Sequence, residues 1–299
     1  CADERSPIVS AAYDIVSVGH VSHDYLVYQG KTTWFTGGGA YFAAFAARAS
    51  GAQPMVVTRL ARENHDLLQP LREAGIGVLA LPSRVTTSIE NLFPTADLDK
   101  RVVRLLAQGD PFRLEDVAEA AQIYLLTGLF RGEIPEEMIE PLSRRGRVAL
   151  DLQGVLRTSE AGAFSWQDWP DKERCLPHGA FLKADSLESA VITGIEDRRE
   201  AARRLNRWGA REVVVTHSSE VIAFDGEQMH SARFDPANLS GRTGRGDTCF
   251  GSYLAWRLHH GVAESVRYAA ALTSMKMESP GPFTGTVDEV LERMRRGPA

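Results

Sequence analysis

Short β-rich runs alternate with helical stretches along most of the chain, and this alternation restricts the fold more than any other feature. Residues 14–18, 54–60, 76–81, 123–126, 148–151, 180–183 and 212–216 are short runs rich in Val, Ile and Leu. Runs of that length and composition read as buried strands. Between them, residues 40–50, 63–74, 114–121, 136–145, 200–208, 250–259 and 263–277 are expected to be helical, with Gly51 and Gly75 closing the first two. Strands and helices at this spacing predict a parallel sheet covered on both faces. A length of 299 residues fits one such domain, and no linker, repeat or low-complexity tract divides it.

Two regions break the alternation. Residues 25–36 read as strands, and residues 85–106 form two β-rich halves around the turn Pro94-Thr95-Ala96-Asp97. Together they predict a small β lid projecting from the main sheet. Within it Glu90 and Asn91 point in opposite directions if the segment is a strand. Glu90 is the one expected to face a substrate. Near the C-terminal third, Asp225-Gly226 between two β-rich runs is a hairpin signal.

The stretch Gly241-Arg242-Thr243-Gly244-Arg245-Gly246-Asp247-Thr248-Cys249 carries the chemistry. Its glycines let backbone amides approach a ligand closely, and a helix N-terminus behind them is an anion site. Asp247 stands beside that site, so an anion cradle and a base are adjacent, as phosphoryl transfer to a hydroxyl requires. The same letters also fit an ordinary helix start with Asp247 or Thr248 at the N-cap. The spacing is not that of a P-loop, and no Gly-x-Gly-x-x-Gly follows the first strand, which argues against a dinucleotide-dependent dehydrogenase. Cys249, two residues past the base, is expected to make the site sensitive to thiol alkylation.

This stretch resembles the C-terminal signature of the ribokinase-like (PfkB) sugar kinases, usually Asp-Thr-x-Gly-Ala-Gly-Asp. The resemblance implies a three-layer α/β/α sandwich with a mostly parallel central sheet and a small projecting β lid. It implies that Gly244, Arg245 and Gly246 form the anion hole and that Asp247 is the catalytic base, with ATP and Mg2+ as cofactors. Gly241 replaces the usual first Asp, and Arg245 replaces Ala, where a guanidinium can clamp a phosphate oxygen.

Further matches follow in family order. Asp24 ends a Gly-x-x-x-x-Asp that places its carboxylate on sugar hydroxyls, with Ser22 where Asn is common. Gly37, Gly38 and Gly39 resemble the di-glycine hinge that touches substrate, although Phe42 stands where the family has Asn. Asp151 and Gln153 resemble a strand-end Asp-x-Asn facing the crevice. Asp185 and Glu188 resemble an Asn-x-x-Glu that organises magnesium, water and phosphate, and they equally fit a helix capping box. Lys183, Thr216, Arg242, Thr243, Pro280 and Gly281 are the positions expected around the nucleotide.

Details of the cradle, of residues 87–91 and of residues 276–282 resemble a bacterial branch containing myo-inositol kinases. The expected substrate is therefore a sugar or cyclic polyol, with nucleoside, ribose and ketohexose kinases, or a non-catalytic sugar-binding regulator, as alternatives. A net charge of −5 argues against a nucleic-acid partner. Three cysteines without Cys-x-x-Cys spacing point to a reducing cytosol, and no apolar run reaches the length of a membrane span. A homodimer formed through the β lid is expected.

Overall fold

The computed structural model describes residues 12–93 and 102–296, so the expected turn at Pro94–Asp97 lies outside the described residues. In chain order its strands are β1 (Tyr13–Val18), β2 (Ser22–Tyr28), β3 (Lys31–Gly37), β4 (Pro54–Leu60) and β5 (Gly77–Pro82). Next come β6 (Ser88–Phe93), β7 (Val102–Ala107), β8 (Ala121–Leu126), β9 (Arg147–Asp151) and β10 (Arg157–Glu160). The last are β11 (Ala163–Trp166), β12 (Gly179–Asp185), β13 (Glu212–Thr216), β14 (Glu220–Phe224) and β15 (Met229–Arg233).

Nine strands form one sheet in the order β15-β14-β13-β12-β9-β8-β1-β4-β5. From β13 to β5 every pairing is parallel, while β14 pairs antiparallel with both β13 and the edge strand β15. Alternate residues feed opposite faces, as the pleat requires. Val16 and Val18 join Leu150 and Leu182 in one core, whereas Ile15, Ile123, Ala149 and Phe181 pack on the other side against Phe250, Tyr253 and Leu254.

A second, six-stranded sheet has the order β10-β11-β7-β6-β2-β3. It contains both regions that break the alternation and a hairpin, β10–β11, that the sequence reading passes over. Those two strands are only four residues each, too short to establish a periodicity. Their turn carries the signal that was available, with Ala161 and Gly162 both in the left-handed region at φ 48° and 81°.

Three expected helices are shorter than their apolar pattern. Residues 63–74 divide into a 3-10 segment, Arg62–Leu68, and a short α-helix, Gln69–Glu73, where Pro70 removes a backbone donor. Residues 136–145 likewise hold only Glu136–Met138 and Ile139–Ser143, with Pro141 inside. Residues 114–121 are not a helix at all: a single turn, Leu114–Asp116, ends where the Asp116 carboxylate is taken by Arg59 and by the Arg113 amide. A final helix, Val287–Arg296, was not anticipated, although Thr286 and Glu289 spell its capping box and bond reciprocally.

The helices Gly39–Ala49 and Arg245–Trp256 lie against each other, and Gly251 sets their distance. A Cβ at Gly251 would stand 2.4 Å from the carbonyl oxygen of Ala43. Gly251→Ala is therefore expected to destabilise the protein by about 1–3 kcal/mol, the usual range for overpacking. A lowered denaturation midpoint with unchanged m-value would show it; an unshifted midpoint would mean that the helices separate without loss.

Candidate active site

The cleft opens at the carboxyl ends of the parallel strands next to β1, where the strand order reverses. Open α/β sheets bind ligands at such a point because the two neighbouring connections leave in opposite directions. It encloses about 700 Å³. Strand ends deliver Lys183, Asp185 and Thr216, while the connections and helix starts after β9 and β15 deliver Gln153 and the segment Arg242–Asp247.

Two helix N-termini meet in this cleft. The helix Gly39–Ala49 has Gly38 as its N-cap at φ 103°, and the helix Arg245–Trp256 has Gly244 at φ 75°. Neither N-cap carries a side-chain hydrogen bond, and in the second helix the Arg245 amide donates to the Arg242 carbonyl at 3.3 Å. Both dipoles favour negative charge at the same spot. Asp247, in the first turn of the second helix, reaches the first turn of the other: a Cβ on Gly39 would lie 2.9 Å from its Oδ1. The N-cap is Gly244, so neither Asp247 nor Thr248 fills that position.

The departures from the family pattern have steric causes. A side chain at Gly241 would begin 1.8 Å from the carbonyl oxygen of Ser279, so no Asp fits there. Phe42 lays its ring under the glycine turn, 2.3–2.5 Å from where a Cβ of Gly244 would be. Gly38 and Gly37 are equally closed, the first by the His20 carbonyl and the second by the Asp24 carboxylate, at 2.1 and 2.2 Å from a hypothetical Cβ.

Behind the cradle lies a buried charge cluster. Lys183 Nζ donates to both oxygens of Asp151 at 3.0 Å and stands 3.7 Å from Glu188. Its ammonium is also 3.5 Å from a Cβ built on Gly246, in the first turn of the helix Arg245–Trp256. Burial alone would lower its pKa, but Asp151, Glu188 and Asp247 hold it above the ordinary lysine value. Burial pushes Asp151 and Glu188 upward, with Lys183 opposing in both. Asp185 and Glu188 form the capping box of the helix Ser186–Thr193, each carboxylate accepting from the other's backbone amide at 2.8 and 2.6 Å. Among the described residues no group of three or more His, Cys, Asp or Glu is placed to hold a metal ion.

At the other end of the cleft Asp24 is 7% exposed and accepts from the Ile89 amide at 3.1 Å. Burial raises its pKa to about 7, against the lowering effects of Ser22, Ile89 and Arg157. A carboxylate accepts from hydroxyls better than the neutral acid. The acceptor KM is therefore expected to fall as pH rises through about 7, a dependence lost in Asp24→Asn. A raised carboxyl pKa stabilises the fold below its unfolded value near 4, and that stabilisation is lost as pH climbs to about 7. Initial rates across pH 5.5–8.5 test this, and an acceptor KM flat over that range sinks it.

The structure does not gather every expected residue. Ser22 is fully buried beside Asp24 and off the cleft wall, and Asp151 lies behind Lys183. Glu90 is a correction: the pleat turns Ile89 and Asn91 into the cleft and Glu90 to the outer face, opposite Arg104 at 3.9 Å. Pro280 and Gly281 are exposed and outside the wall. Cys249 is fully buried with its thiol pushed up to about 12, so the expected sensitivity to alkylation has no accessible target. Unanticipated lining comes from Leu26, Tyr28 and Arg157. Arg157 sits on the overlooked β10, tied to the Leu129 carbonyl at 2.6 Å and stacked on Phe164.

Comparisons with known proteins agree with this geometry. Residues 7–288 match the model of the pfkB family carbohydrate kinases. The structure superposes on a pyrophosphate-dependent kinase in the ribokinase family complexed with a pyrophosphate analog and myo-inositol, at TM-score 0.86 and 35% identity over 93% of this chain and 99% of that one. A cytidine kinase of Thermococcus kodakarensis is 28% identical over 259 residues, 81% of this chain and 87% of that protein. Arabidopsis thaliana ribokinase complexed with ribose and ATP, 19% identical over 95% of this chain and 99% of that one, shares the fold at TM-score 0.76. With its ribokinase-like sheet and its glycine cradle at the switch point, this chain belongs to the pfkB family of carbohydrate kinases and is a phosphotransferase acting on a hydroxyl group.

Proposed function

We propose that this kinase phosphorylates a hydroxyl of a cyclic polyol, with myo-inositol as the first candidate. The observation that carries the reading is the position of Asp247, against Gly39 and between two helix N-termini without side-chain caps, with Asp24 across the same cleft. In this reading Asp24, Asn91 and Gln153 orient the acceptor. Asp247 takes the proton from the attacking hydroxyl, while the amides of residues 244–247, with Lys183 and Arg245, receive the charge that spreads over the transferred phosphoryl oxygens. The six-stranded sheet acts as a lid that excludes water, a competing acceptor.

Inorganic pyrophosphate is the donor we favour over ATP. Arg242, Arg245 and Lys183 surround a short anion cradle, whereas the Pro280-Gly281 loop expected beside a nucleotide base stands outside the wall. The similarity to a pyrophosphate-dependent kinase supports the same choice. Among the described residues magnesium would be held through the acidic pair Asp185 and Glu188, consistent with an ion held mainly by donor phosphates. When bound it neutralises phosphate charge.

Orthophosphate release from pyrophosphate and ADP release from ATP, each with myo-inositol, ribose, fructose and cytidine, test both choices. Turnover of pyrophosphate with myo-inositol is expected. Turnover only with ATP and cytidine would select the nucleoside reading, which the Thermococcus relative favours.

We place self-association on the outer face of the lid, where Trp34, Val102 and Leu106 are 59%, 43% and 52% exposed and share the face of Glu90. Sedimentation velocity that loses a dimer in Trp34→Lys is the expected result; an unchanged monomer removes the idea. No described helix is long and apolar enough to cross a membrane, and the buried free thiols of Cys175 and Cys249 fit the reducing cytoplasm we propose.

A further inference from the structure

Lys276 belongs to no part of the machinery described so far, yet it is a buried cation beneath the cradle. It lies in the last turn of the helix Val262–Met277 and is 1% exposed. Its ammonium donates to the Gly241 carbonyl at 2.5 Å and lies 5.5 Å from the centre of the Phe42 ring. No carboxylate lies within ion-pair distance among the described residues. A buried ammonium with one carbonyl and one aromatic face is sparsely solvated, which is costly unless something else requires the charge. Burial lowers its pKa to about 8, with Asp247 acting in the opposite direction.

Both partners of Lys276 are pieces of the anion cradle. Gly241 opens the glycine turn, and its amide donates back to the Met277 carbonyl at 2.8 Å. Phe42 is the floor on which Gly244 rests. One side chain thus ties the start of the turn to the ring beneath its middle, while its charge sits on the side of Asp247.

Resting on the kinase reading above, we propose that Lys276 is a positioning residue for phosphoryl transfer. It fixes the height and orientation of the amides of residues 244–247 relative to Asp247 and keeps a positive potential under the transferred phosphate. Displacing reacting groups by about 1 Å costs on the order of 100-fold in rate.

The test uses the full chain with Lys276→Met, which keeps the length and removes the charge, and Lys276→Arg, which keeps the charge. Turnover and pyrophosphate affinity by calorimetry are read alongside thermal unfolding. The expected result for Lys276→Met is a kcat lower by about 30- to 100-fold, pyrophosphate binding at least about tenfold weaker, and an acceptor KM within about threefold. Lys276→Arg is expected to recover at least part of both losses. An active wild type whose Lys276→Met variant keeps kcat and pyrophosphate affinity within threefold, even at reduced stability, would falsify the proposal. If the wild type binds pyrophosphate but turns over no acceptor, the kinase assignment of substrate fails separately, and the affinity ratio still decides Lys276. A wild type that neither binds pyrophosphate nor turns it over overturns both.

Discussion

Asp247→Asn is expected to lower kcat by about 10³-fold while leaving donor and acceptor affinities within about threefold. General-base removal typically accounts for 10²–10⁴-fold. The isosteric amide preserves the contact with the first turn of the helix Gly39–Ala49, so the cradle keeps its shape. Asn cannot accept the hydroxyl proton, and it removes the negative charge on which the incoming nucleophile depends. Single-turnover phosphorylation with the bound complex preformed separates this loss from weaker binding. A kcat within tenfold of wild type would assign the proton to solvent or to another carboxylate and remove Asp247 from the mechanism.

Lys183→Met is the other large expected effect, and it appears in stability. The ammonium is enclosed with Asp151 and Glu188 at 3.0 and 3.7 Å, and all three side chains are buried. Removing one partner of a buried cluster leaves uncompensated charge and destabilises by about 3–5 kcal/mol. The deficit should depend on pH with a definite sign. Burial already holds the pKa values of Asp151 and Glu188 above the unfolded ones, and without Lys183 nothing opposes it. Below those raised values the native state binds more protons than the unfolded chain, so the variant's stability falls as pH rises. Denaturant midpoints at pH 5.5 and pH 8 should therefore differ from wild type little at the lower pH and strongly at the higher. Equal deficits at both values would mean that lost packing, and not exposed charge, is responsible. Donor binding weakens in the same variant, because the ammonium also stands beside Gly246.

The parts of the molecule that were legible share a physical basis. Parallel strands buried on both faces must be short and continuously apolar, so β1, β4, β8, β9, β12 and β13 announced themselves within a residue or two. Glycines forced by close approach or positive φ marked the starts of the two helices that meet in the cleft, at Gly38 and Gly244 above all. The failures have equally local causes. A periodic pattern does not reveal where Pro70 or Pro141 interrupts a helix, nor that Asp116 is captured by Arg59. The β10–β11 hairpin, which brings Arg157 to the cleft, is too short to show a period.

The sequence by itself determined the fold class and the family, and it located the glycine-rich helix start with Asp247 beside it, because strand burial and a glycine-rich helix start each demand particular residue types at particular spacings. Only the tertiary structure decided which side chains share the cleft. The pleat sent Asn91 inward and Glu90 outward. Packing placed Phe42 under Gly244, set Lys276 on the Gly241 carbonyl, and enclosed Asp151 with Lys183. These contacts join segments more than thirty residues apart, and no pattern within one segment encodes the distance, burial or shared field that such a meeting creates.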